Sequence, residues 1–189
     1  MILIDLKKYR FLLVILLIAM SLGLAVNGSR WVIKMVYPLH YKELIFKYAE
    51  DYNLDPYLVA AIIRTESKFY EKAQSGKNAR GLMQIAPITG EWASKELRVK
   101  GYDAEMLFVP DLNIMIGCWY LDRLRGEFQN DLPLMLAAYN GGSGNVRKWL
   151  NDPRYSSDGM TLDHIPFFET RAYVDKVLKS YKIYNMIYR

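Results

Sequence analysis

Ala60-Ala61-Ile62-Ile63-Arg64-Thr65-Glu66-Ser67-Lys68-Phe69 is the stretch that decides how the rest of the chain is read. From Tyr57 to Ile63 the sequence is apolar on nearly every side of a helix, which predicts a helix buried within a domain. Asp55-Pro56 just before it supplies an acidic N-cap and a first-turn proline. The apolar run then ends in a single carboxylate, Glu66, near the negative end of that helix. Loss of water and the helix dipole both disfavour the ionised form, so its pKa is expected to rise toward the range useful to a general acid. Arg64 and Lys68 stand two residues away on either side and point off its helix face. Glu66 is therefore the candidate catalytic acid.

Downstream, turns and helices alternate. Tyr70 to Arg80 (YEKAQSGKNAR) has no hydrophobic period and contains turn signals at Ser75-Gly76 and Lys77-Asn78. After Gly81-Leu82-Met83-Gln84-Ile85, Pro87 and Thr89 open a helix that runs through Leu97. Asp111 is placed to cap a long helix from Leu112 to Phe128, whose apolar face carries Ile114, Met115, Cys118, Trp119, Leu121 and Leu124. Asp131 and Pro133 start another, apolar almost all round, that runs into Asn140-Gly141-Gly142-Ser143-Gly144-Asn145. A last helix follows Ile165 to Thr170, with Val174, Val177, Leu178, Tyr181 and Tyr184 at helical spacing. Upstream, Pro38 sits where a helix could begin, and Tyr41 to Tyr52 is amphipathic. There is no alternating strand pattern and no internal repeat. The expected fold class is mainly α, with little or no β structure.

Bulk properties narrow the function. The chain has 189 residues, enough for one domain with an anchor or tail. Its net charge of +5 comes from scattered Lys and Arg, which excludes a nucleic-acid stripe. One cysteine, Cys118, excludes an internal disulfide and reads as core. Two distant histidines, His40 and His164, exclude an ordinary Cys/His metal cluster, so no metal and no cofactor is expected. The glycines at 141 to 144 join helix to helix and lack the Gly-Lys-Ser/Thr ending of a phosphate loop.

The N-terminus reads as a basic cytoplasmic tail (1–10) followed by a transmembrane helix at 11–27. The uncharged core of that segment, Phe11 to Val26, is long enough to cross a bilayer, and Arg30 follows like a stop-transfer flank. A cleavable signal peptide ending near Gly23-Leu24-Ala25 is the alternative. Residues 28–37 form a connector with Trp31 and Tyr37 at the membrane interface, and the domain follows at 38–189. Either reading places the domain outside the cytoplasm.

Four elements act together: Glu66-Ser67-Lys68-Phe69, Gly81-Leu82-Met83-Gln84, Ala137-Ala138-Tyr139-Asn140-Gly141-Gly142 and Glu169-Thr170-Arg171-x-Tyr173-Val174. In order and spacing they resemble the catalytic domain of the soluble-lytic-transglycosylase family, peptidoglycan-cleaving enzymes with a goose-lysozyme-like fold. The resemblance implies cleavage of the bond between N-acetylmuramic acid and N-acetylglucosamine, with a 1,6-anhydro ring as product. It implies Glu66 as acid and then base, and Ser75, Met83, Gln84, Tyr139, Asn140, Glu169 and Tyr173 along the substrate groove. The partner so implied is a peptidoglycan glycan strand; the N-terminal helix adds the membrane, no nucleic acid is expected, and the chain is expected to be a monomer open to recruitment by an envelope machine. Ala86 departs from the family's frequent methionine, and Gly141-Gly142-Ser143 from its usual continuation.

Each residue also has a plainer reading. Ser75 can be a turn former, Gln84 a helix cap or backbone anchor, Tyr139 a core aromatic, and Glu169 a partner of Arg171 or Lys176 or a cap of the last helix. The rival functions are a lysozyme-type hydrolase of the same bond and a non-catalytic peptidoglycan-binding scaffold.

Overall fold

The computed structural model describes residues 15, 16, 20, 21, 28 and 31–189. They belong to two units, Met1–Pro38 and Leu39–Arg189. In the first, residues 31–36 are helical, with Trp31 and Met35 exposed. The expected membrane span at 11–27 lies, apart from residues 15, 16, 20 and 21, outside the described residues. Among the described residues no helix is long and apolar enough to cross a membrane.

The second unit is built from α1 (Lys42–Asp51), α2 (Pro56–Ser67), α3 (Pro87–Glu96), a 3-10 helix η1 (Ala104–Phe108), α4 (Pro110–Glu127), α5 (Leu132–Gly141), α6 (Ser143–Leu150) and α7 (Phe168–Tyr188). Among the described residues the only β structure is two isolated antiparallel bridges, Gln74 with Arg80 and Arg80 with Ile85. The expectation of a mainly helical domain is met.

The central helix is α2. The Asp55 carboxylate accepts the Tyr57 N–H at 2.8 Å, Pro56 occupies the first turn, and every residue from Tyr57 to Ile63 is buried. Val59, Ile62 and Ile63 have no exposed surface, and each stabilises the fold by about 1.5 to 3 kcal/mol. The helix α2 packs against α7 and α1. Lys68 and Phe69 then turn left-handed, with φ of 51° and 65°, and end the helix just past Glu66.

The same Asp55 ties the first turn of α2 to α7. Its second oxygen accepts the Tyr181 hydroxyl at 2.9 Å and an Arg189 guanidinium N–H at 2.6 Å. Asp55→Ala removes an N-cap and two tertiary bonds, so it is expected to lower stability by about 1 to 3 kcal/mol. A urea midpoint shift without a change of slope measures it.

Two helix starts differ from expectation. Val109, not Asp111, is the N-cap of α4, because Pro110 occupies its first turn. Asp111 instead accepts the Tyr48 hydroxyl at 2.9 Å, bracing α1 on α4. The first domain helix begins at Lys42 rather than at Pro38, after a left-handed Tyr41 (φ 55°).

Candidate active site

A groove of about 860 Å³ brings together Glu66, Ser75, Gln84, Tyr139, Asn140 and Glu169. They come from the last turn of α2, the loop after it, the turn before α3, the end of α5 and the first turn of α7. Six of the eight residues expected along the groove are thus its lining.

Burial pushes the Glu66 carboxyl up from 4.5 to about 7. A smaller opposing effect comes from the Tyr173 hydroxyl, which favours the charged form. That hydroxyl is buried and makes no hydrogen bond of ordinary geometry, so it acts on Glu66 as a nearby dipole. Neither Arg64 nor Lys68 contributes to the shift, as their helix positions anticipated. Burial, and after it the charge of Glu66, pushes the hydroxyls of Tyr139 and Tyr173 well above their ordinary range. Both remain protonated donors wherever Glu66 titrates. Tyr173→Phe removes the dipole, so the Glu66 pKa should rise above about 7. A basic limb of the pH–rate profile shifted to higher pH checks this.

Two expected groove residues lie behind the surface. Met83 is fully buried and packs against Gly117 of α4, where an added Cβ would come within 2.2 Å of the Met83 sulfur. Tyr173 is 7% exposed, with its hydroxyl beside the Glu66 carboxyl. Both are apolar enough to be drawn inward, so they support the groove rather than line it.

For Ser75, Gln84 and Tyr139 the plainer readings hold alongside the groove positions. The Ser75 hydroxyl oxygen accepts the Ala79 N–H at 3.0 Å, closing a loop turn. The Gln84 amide donates to the carbonyls of Ala73 (3.0 Å) and Gly81 (2.9 Å). Tyr139 donates to the Met83 carbonyl at 2.8 Å, so groove wall and turn are tied together. Glu169 does not pair with Arg171 or Lys176. It faces Lys77 at 4.0 Å, both side chains being largely exposed.

Asn113 on α4 escaped the sequence reading, yet it organises the Gly81–Gln84 turn. It is fully buried, accepts the Met83 N–H at 2.7 Å and donates to the carbonyls of Arg80 (2.9 Å) and Leu107 (2.7 Å). Gly81 meets it from the other side. Its φ is +77°, and an added Cβ would sit 2.1 Å from the Leu107 carbonyl oxygen. Lys77, Asn145, Phe167 and Phe168 also line the groove without having been anticipated. A polar residue at a core position of an apolar helix was the available signal for Asn113. For the two phenylalanines the signal was an aromatic pair beside Pro166.

A helical domain with a single half-buried carboxylate in an open groove is a lysozyme-like architecture. The chain belongs to the transglycosylase SLT domain family, whose model matches residues 43–159. It is 36% identical over 154 residues to a putative soluble lytic murein transglycosylase of Haemophilus influenzae, covering 79% of this chain and 25% of that one. It is 32% identical over 169 residues to a membrane-bound lytic murein transglycosylase C of Actinobacillus pleuropneumoniae, covering 76% of this chain and 45% of that one. Among solved structures, the 70 kDa soluble lytic transglycosylase of Escherichia coli superimposes with a TM-score of 0.73 at 32% identity, covering 88% of this chain and 27% of that one. The chain thus spans about a quarter to a half of the length of these relatives.

Proposed function

We propose that the chain is a peptidoglycan lytic transglycosylase that cleaves the β-1,4 bond between N-acetylmuramic acid and N-acetylglucosamine. The observation that carries the reading is the Glu66 carboxyl in the groove, raised to about 7 by burial and so able to hold a proton near neutral pH. Glu66 protonates the glycosidic oxygen. The resulting carboxylate takes the proton of the muramic acid C6 hydroxyl, which closes on C1 and leaves a 1,6-anhydro end. The substrate's own acetamido group stabilises the cationic centre, so the cycle requires no second carboxylate of the enzyme. Ser75 and Gln84 orient that group. The Ser75 oxygen accepts from the backbone, which leaves its proton to donate.

The hydrolytic alternative draws support from one feature, the second carboxylate in the groove, Glu169. Its exposure and its contact with Lys77 suit a rim position better than a base for water. Digesting purified sacculi and weighing the products separates the two: the anhydro end is one water lighter than the reducing end. Reducing muramic ends alone would overturn the transglycosylase reading.

The apolar run at 11–26 and the membrane-bound relative support a single-pass anchor with the domain outside the cytoplasm. On that reading the enzyme works on the wall from the membrane surface. Fractionation that leaves the full chain in the soluble phase would overturn the anchor.

A further inference from the structure

Ile88 and Trp92 stand four residues apart on α3, so they share one helix face, and both are left in solvent at 78% and 45% exposure. This face is joined to the groove in two independent ways. Along the chain, α3 begins three residues after Gln84, with Ala86 as its N-cap. Across the fold, a row of rings leads out of the groove: Tyr139 to Tyr120 at 5.5 Å between centroids, then Tyr120 to Trp92 at 6.4 Å. Trp92 is also held from behind. Its ring meets that of the buried Trp119 nearly at right angles, at 4.7 Å, and Arg123 covers Trp119 in turn. A large indole fixed by its neighbours while one part faces water is pre-organised for a ligand, because little side-chain freedom remains to be lost.

We propose that Ile88 and Trp92 form an outer sugar subsite that extends the groove along α3 and holds the glycan strand beyond the cleavage point. This rests on the glycan reading of the groove. A pyranose ring presents one face of C–H groups, and the electron-rich face of an indole complements it. The carboxylates of α3 are paired. Glu91 pairs with Lys95 at 2.8 Å, and Glu96 with Arg123 at 3.5 Å. Ile88, one turn before Trp92, adds apolar surface to the same helix face.

The test is binding of peptide-free muroglycan fragments, a tetrasaccharide and an octasaccharide, to the full-length Glu66→Gln protein by calorimetry. Adding Trp92→Ala should weaken the octasaccharide about ten-fold, equivalent to about 1.4 kcal/mol, and the tetrasaccharide much less. Trp92→Phe should restore most of the difference. In the active enzyme Trp92→Ala should raise KM for long strands with little change in kcat. Equal weakening of both fragments, or none, would overturn the subsite while leaving the activity standing. So would a Trp92→Ala protein that binds glycans normally but loses a protein or vesicle partner. A wild-type chain that neither binds nor degrades glycan would overturn the activity and the subsite together.

Discussion

Glu66→Gln is expected to abolish glycan cleavage and, above pH 7, to make the fold more stable. The loss of activity should reach about a thousand-fold or more, because one group is asked to be both acid and base and glutamine can be neither. The stability gain follows from the same burial. The folded carboxyl titrates at about 7, against an ordinary 4.5. Between those values the native state holds a proton that the unfolded chain has released, so stability falls as pH rises from about 4.5 to about 7. Above pH 7 the fold carries the full cost of a buried anion. That cost is on the order of 2 to 3 kcal/mol once discounted for water in the groove. Glutamine does not titrate, so the mutant should match the wild type in urea at pH 4.5 and exceed it at pH 8. A mutant that still lyses sacculi would refute Glu66 as the acid. A stability difference independent of pH would refute the raised pKa.

The stability gain of that mutant shows why the site was so legible in the sequence. A carboxylate closing an apolar helix has a cost that packing cannot remove, so it stands out in composition alone. The caps were legible for a similar reason: Asp55-Pro56 and Asp131 act within three residues of themselves, and both cap as expected. What failed was reading that depends on tertiary direction. Met83 and Tyr173 belong to motifs that contribute lining residues, Gln84 in one and Glu169 in the other, but a neighbour in the same motif can face the core, and these two are buried. Asp111 has the character of a cap, yet Pro110 preceded it and took the first turn. Lys77 and Phe168 reach the groove from a loop and a helix start, where no periodicity announces which way a side chain points. Asn113 makes its bonds to residues 6 to 33 positions away, beyond any local pattern.

That buried amide carries the second large effect. Asn113→Leu keeps the branched shape of the side chain and removes its polar atoms, so the Met83 N–H and the Leu107 carbonyl lose the partners Asn113 gave them inside the core. The Arg80 carbonyl still accepts the Ile85 N–H at 3.0 Å and suffers less. Each orphaned buried group costs about 1 to 3 kcal/mol, so the whole change should cost about 3 to 5 kcal/mol. The consequence reaches catalysis because the Gly81–Gln84 turn is held by Asn113, by the Tyr139 hydroxyl on the Met83 carbonyl, and by the Gln84 amide and the Gly81 N–H on the Ala73 carbonyl. With the first released, Gln84, whose φ of 47° is strained for a side-chain residue, is expected to relax and leave the groove. Activity should then fall at temperatures where the protein is still folded. Gly81→Ala presses on the same junction from the opposite side, since its Cβ would lie 2.3 Å from the Asn113 amide nitrogen. The two substitutions should therefore be non-additive, the double mutant losing less stability than the sum of the singles. Strict additivity in urea unfolding would mean that Asn113 and Gly81 do not act on one turn, and the account of how Gln84 is held would fall with it.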